Sequence, residues 1–158
     1  MLRTLMLLTL LAAACGGGGA APGMTPPAIP TIQELEPNDM QAQAQMIGAI
    51  DLTGRDQLRI LGSMRLMPPD VDWLEFDAVQ AQKWILSLDF AAEVSPGMPN
   101  DFDLSIFDDM LNVIGRLDSG AIPEMGEFTL PAPGTYFIVI VPPSGGGAYT
   151  LDLMAVAP

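Results

Sequence analysis

The chain has 158 residues, 49% of them hydrophobic, with six basic against nineteen acidic side chains and a formal net charge of −13. That sign argues against nucleic acid and anionic lipid headgroups as partners, since both repel an acidic surface. With no histidine and a single cysteine, triads, His–metal sites, imidazole acid/base catalysis and an internal disulfide are all excluded.

Residues 1–14 have the pattern of a secretory signal peptide. Arg3 supplies the positive start, Leu5 to Leu11 an apolar run, and Ala12-Ala13-Ala14 a small-residue cleavage site. The run is too short to span a bilayer. Cys15 follows directly, and its place resembles a bacterial lipobox, with Leu11 one position further out than the usual leucine. Cys15 is therefore the expected lipidation site, whereas ordinary signal-peptidase cleavage would leave it a free thiol. Loss of residues 1–14 removes Arg3 and leaves five basic against nineteen acidic side chains, a net charge of about −14. Residues 15–30 are uncharged and rich in Gly, Ala and Pro, the composition of a tether that holds a domain off a surface. Gly16 provides no aspartate-type retention signal for the inner membrane, which favours the outer membrane or cell surface.

Glu34-Leu35-Glu36-Pro37-Asn38-Asp39 opens the part expected to fold, from residue 31 to residue 158. Four oxygen-bearing side chains in six residues repel one another unless something positive lies between them. A hard cation such as Ca²⁺ takes six to eight oxygen ligands from carboxylates, Asn side chains and carbonyls. Alternatively, Asn38 or Asp39 caps a short helix over residues 39–46, with Gln41 completing a capping box. Both readings stay open at this point, and they are compatible.

Downstream, alternation with period two dominates. Leu74, Phe76 and Ala78 share a face in 72–78, with Glu75 and Asp77 opposite. Trp73 falls on that polar side and is expected to pack under a loop or the N-terminal segment, a ligand platform being the alternative. Trp84, Leu86, Leu88 and Phe90 alternate next, followed by Phe102, Leu104 and Ile106. Tyr136 to Val141 is apolar on both faces and so expected to be central, and Tyr149, Leu151 and Leu153 close the series. Gly/Pro turn signals at 68–70, 95–97, 131–134 and 142–145 separate these runs. The eleven methionines are scattered and read as core filler. The pattern predicts one all-β domain, an antiparallel sandwich.

No nucleophile motif surrounds Lys83, and Gly-x-Ser-x-Gly is absent. Leu117-Asp118-Ser119-Gly120-Ala121 looks like the active-site loop of retroviral-type aspartic proteases, but no downstream apolar-apolar-Gly brace follows it. No catalytic residue is assigned.

Five elements in order then carry a resemblance. They are the 34–39 segment with Ala42 and Ala44; Gly62 leading to Asp70-Val71-Asp72-Trp73-Leu74-Glu75-Phe76; Phe102-Asp103-Leu104-Ser105-Ile106-Phe107-Asp108; Gly134-Thr135-Tyr136; and Tyr149-Thr150-Leu151. Together they resemble the bacterial pre-peptidase C-terminal domain family, relatives of the collagen-binding domains of clostridial collagenases. The resemblance implies a jelly-roll-like, non-catalytic β-sandwich over residues 31–158. It also implies a Ca²⁺ site in which Glu34, Glu36, Asn38 and Asp39 match the opening ligands, with Asp70 and Asp72 matching an acidic loop. The collagen binders present a tyrosine-rich face, whereas this chain has two tyrosines, both in expected core strands, so collagen binding is not carried over.

The expected protein is an exported surface lipoprotein, held to a membrane through Cys15, whose domain binds an external or envelope protein or a polysaccharide. An accessory or chaperone-like element for a separately encoded secreted peptidase is the alternative, and an unrecognised hydrolase comes third.

Overall fold

The computed structural model describes residues 28–156, apart from 51–56, Leu66 and Pro69. The leader, Cys15 and most of the tether lie outside the described residues. Among those described, the chain forms β1 (Thr31–Gln33), β2 (Gln45–Ile50), β3 (Gln57–Met64), β4 (Asp72–Ala78), β5 (Gln82–Phe90), β6 (Glu93–Ser95), β7 (Met98–Pro99), β8 (Asp101–Asp108), β9 (Val113–Leu117), β10 (Glu124–Leu130), β11 (Gly134–Ser144) and β12 (Gly147–Ala155). No helix among these residues is long and apolar enough to cross a membrane.

Two five-stranded sheets form a sandwich. The first has the order β1-β3-β12-β5-β10, the second β2-β4-β11-β8-β9, and β6-β7 form a separate hairpin. From β3 to β5 and again from β9 to β12, successive strands alternate between the two sheets, the jelly-roll-like winding. The alternating runs read from the sequence supply the core: Leu74, Phe76, Trp84, Leu86, Leu88, Phe102, Leu104, Ile106, Leu151 and Leu153 are all buried. Aromatic rings bridge the sheets, with Phe76 and Trp84 at 5.0 Å between centroids and Phe90 and Phe102 at 4.7 Å. β11 lies between β4 and β8, which accounts for its apolar character on both faces.

Four expectations need correction. The sheets are mixed, because edge strands β1 and β2 run parallel to β3 and β4. The expected helix over 39–46 is a single 3₁₀ turn at Gln41–Gln43, followed at Gln45 by β2. That segment is polar and too short to form a helix without an apolar face to bury. Pairing with β4 gives its backbone partners and places Ile50 in the core. Met64 is the only core methionine among the described residues; Met40, Met46, Met67, Met98, Met110 and Met125 are exposed, so methionine does not serve mainly as core filler. Trp73 lies on the outer face of its sheet, stacked on Phe107 at 6.2 Å and edge-on to Phe137 at 5.9 Å. Of the turn signal at 142–145, residues 142–144 lie within β11, where the register against β8 shifts between Val141 and Ser144, and the chain turns only from Gly145 into β12.

On the outer face of the first sheet, Arg59 grips Asp152 with two parallel hydrogen bonds, Nε to Oδ1 at 2.7 Å and Nη2 to Oδ2 at 2.8 Å. Both side chains are open to water, where ion pairs stabilise little. Asp152→Asn is expected to melt within a few degrees of wild type by circular dichroism.

Candidate metal centre

Local sequence explains how the acidic segment reaches the sandwich. β1 lies on the edge of β3, and Glu34 N–H extends that ladder to Leu61 O at 2.8 Å. The chain then leaves the first sheet. Gln45, at the start of β2, bridges the gap: its Oε1 accepts from Leu35 N–H at 2.8 Å and its Nε2 donates to Gln33 O at 3.0 Å. The segment therefore lies between the β1 edge of one sheet and the β2–β4 edge of the other.

From the opposite side, β4 contributes Asp72. Its alternation places Asp72, Leu74, Phe76 and Ala78 on the core face, so a carboxylate occupies the first inward position of the strand. Asp70 sits two residues earlier, with Oδ2 accepting from Arg65 N–H at 2.8 Å and from Arg65 Nε at 3.3 Å.

All six predicted residues meet here. Carboxylate oxygens of Glu34, Glu36 and Asp72 lie within 4.8 Å of one another, and so do those of Glu36, Asp39 and Asp70. Glu36 belongs to both groups. Asn38 is fully buried; its Nδ2 donates to Glu34 Oε1 at 3.0 Å, and its backbone O accepts from Trp73 N–H at 3.0 Å. The cap reading does not hold, because the residue before the 3₁₀ turn is Met40 and no side chain caps it. Asn38 is instead committed to the carboxylates.

These groups fit a hard cation. Ligand oxygens lie about 2.3–2.6 Å from Ca²⁺, so two ligands of one ion are at most about 5 Å apart, a limit both groups meet. More telling, Asn38 Oδ1, Asp70 Oδ1 and Asp72 Oδ1 are buried and have no hydrogen-bond partner. A buried acceptor without a donor is costly, and three together call for something positive among them. Arg65 supplies part of that charge, its Nη2 lying 3.2 Å from Glu36 Oε1. It hydrogen-bonds to none of the three orphaned oxygens.

Electrostatics point the same way. Burial pushes the Asp72 carboxyl up to about 7, with Glu34, Asp70 and Glu36 adding like-charge repulsion and the Tyr149 hydroxyl opposing it. Glu34 and Glu36 are both raised, chiefly by burial. Tyr149 donates to Asp72 Oδ2 at 2.6 Å, and burial and that carboxylate hold its hydroxyl protonated. Tyr149, Arg65 and Gln45 are participants the sequence did not single out. Tyr149 has one legible signal, as the first inward position of β12 and thus the counterpart of Asp72 in β4.

Nearby, an open groove of about 650 Å³ runs over the first sheet beside Gln33, Ser63, Asp89, Ala91, Ala148 and Thr150. The Asp118-Ser119-Gly120 loop turns its Ser119 and Gly120 amides to Glu124 Oε1, at 2.5 and 2.7 Å.

No protein-family model matches the chain, and neither does any curated protein. Among solved structures, it is similar to the pre-peptidase C-terminal domain of a collagenase from Bacillus anthracis, at 20% identity over 76% of this chain and 99% of that one, with a TM-score of 0.52. The periplasmic g-type lysozyme inhibitor PliG also matches, from Aeromonas hydrophila at 14% identity and Salmonella Typhimurium at 17%, each over 72% of this chain and 99% of that one with a TM-score of 0.47. The fold expected from the sequence is thus present.

Proposed function

We propose that this fold of the pre-peptidase C-terminal type serves here as an exported, lipid-anchored, non-catalytic binding module whose N-terminal segment is locked to the sandwich by Ca²⁺. The observation that carries the reading is the trio of buried, unpartnered oxygens on Asn38, Asp70 and Asp72, set among the carboxylates of Glu34, Glu36 and Asp39. In this reading those residues hold calcium in the two groups that share Glu36, with Asn38 beside them, and calcium supplies charge neutralisation and cross-linking. The protein's own groups do the rest. Gln45 and the β1 ladder position the segment, Tyr149 orients Asp72, and Arg65 neutralises the open side.

The functional consequence concerns the tether. A chain running from a lipidated Cys15 enters the domain directly before Glu34, so locking 34–39 fixes where the anchor leaves the sandwich. The module then presents its sheets and groove at a defined orientation to an envelope or extracellular protein or polysaccharide. The absence of histidine and the acidic net charge support a partner that is neither nucleic acid nor a reaction substrate.

A thermal melt in millimolar calcium against chelator tests the site. A ligand bound only by the native state stabilises by about 2.7 kcal/mol at a hundredfold excess over its Kd. For a domain of this size the shift is several degrees. Glu36→Gln, at the carboxylate both groups share, is expected to abolish the shift. An equal melt with and without calcium would sink the reading.

A further inference from the structure

A second group of carboxylates lies at the opposite edge of the sandwich, where β9 and β10 are the last strands of the two sheets. Oxygens of Asp101 and Asp103 from β8, and of Glu124 from β10, lie within 4.8 Å of one another. Glu124 repeats the placement of Asp72: it is a fully buried carboxylate at the first inward position of its strand, in line with Phe128 and Leu130. Its Oε1 is satisfied by the amides of Ser119 and Gly120 and by Ser119 Oγ at 3.1 Å. Its Oε2 is buried with no partner, and so is Asp101 Oδ1.

No cation among the described residues answers this charge. None of their ion pairs involves Asp101, Asp103 or Glu124. Arg116 is exposed on β9, opposite Ser105, and makes no ion pair with another described residue. Crowding is felt at Asp103, whose carboxyl burial and the like charges of Asp101, Glu124 and Asp118 push up to about 6. The frame is nonetheless built. Asn100, just before β8, is pinned by Nδ2 to Ala91 O at 2.9 Å and by Oδ1 to Gly146 N–H at 2.8 Å. Gly145, at a φ of +80°, lies so close to Asn100 that a side chain there would overlap it.

We propose that Asp101, Asp103 and Glu124 form a second calcium-type cation site, distinct from the first, that ties β8 of one sheet to β10 of the other. The three-carboxylate, all-oxygen donor set suits a hard divalent ion, and the ion takes the orphaned Glu124 Oε2 and Asp101 Oδ1 as ligands. With the first site at the β1/β2 edge, calcium then closes both open sides of the sandwich.

Radiocalcium equilibrium dialysis on the full-length chain tests this. A Glu36→Gln/Asp72→Asn variant, with the first site removed, is expected to keep one calcium per chain. Adding Asp101→Asn and Asp103→Asn is expected to weaken that binding at least tenfold. If the first-site variant does not fold by circular dichroism, Asp103→Asn alone in the wild-type background is expected to lower the stoichiometry by one. Loss of all binding in a folded first-site variant, or an unchanged count and affinity after Asp103→Asn, would overturn the second site without touching the first.

Discussion

In chelator, the protein is expected to melt at a lower temperature near pH 7.5 than near pH 5, and millimolar calcium is expected to reverse that order. Asp72 is the main cause. Its carboxyl ionises near 3.8 when unfolded and is pushed up to about 7 in the fold, burial being the largest contribution. Between those values the native state holds a proton that the unfolded chain has released, so stability is full at the acid end and is lost as pH rises toward 7. Glu34 and Glu36, raised in the same direction, and Asp103, raised to about 6, add to the slope. Asp70, Asp39, the Arg65 guanidinium and the Tyr149 hydroxyl also face Asp72 and its neighbours, and Arg65 stays charged throughout. A tenfold change in a carboxyl's proton affinity corresponds to about 1.4 kcal/mol, so the loss amounts to a few kcal/mol. Calcium binds only the deprotonated carboxylates, and its benefit therefore grows over the same interval. Melts at the two pH values, each with and without calcium, check this. A chelated protein at least as stable near pH 7.5 as near pH 5 would mean that Arg65 already neutralises the site.

Gly62→Ala is expected to destabilise the protein by about 2–5 kcal/mol and to weaken calcium binding at least tenfold. Gly62 in β3 is the cross-strand partner of Tyr149, whose ring lies directly over it. A β-carbon at this position would overlap the ring and its hydroxyl. The ring has little room to yield, being buried and edge-on to Phe102 at 6.4 Å between centroids. Moving it strains the core and strips Asp72 Oδ2 of its donor. Tyr149→Phe separates the two effects, because it keeps the ring and removes only the hydrogen bond, at about 1–3 kcal/mol for a buried acceptor left unpaired. Denaturant unfolding of both variants gives the comparison. A Gly62→Ala protein as stable as wild type would show that the ring shifts freely and that Asp72 does not depend on it.

Much of the fold was legible because period-two alternation and burial coincide in β4, β5, β8 and β12, and because the continuous apolar run of β11 is buried on both faces. Three of the strands that escape notice, β10, β9 and β2, do so for physical reasons. β10 places a carboxylate and a glycine, Glu124 and Gly126, at inward positions and so breaks the apolar rhythm. β9 is five residues long, interrupted by Gly115, and edges its sheet. β2 is polar at its start and becomes a strand only by pairing with β4.

The same contrast holds for the site. Sequence alone determined the oxygen-bearing side chains and the two segments that carry them, because the density of oxygen donors at 34–39 and at 70–72 is a local property. It could not determine which oxygens lack partners, since that depends on what the fold brings near them. Only the tertiary structure decided that Asn38 serves the carboxylates and not a helix, that Tyr149 orients Asp72, and that Arg65 stands in the cluster. It also decided that Asp101, Asp103 and Glu124, up to 23 residues apart in the chain, converge at the other edge. The reason is the same in each case: strands from different sheets meet only when the sandwich closes, and a buried carboxylate takes its character from whatever closes over it.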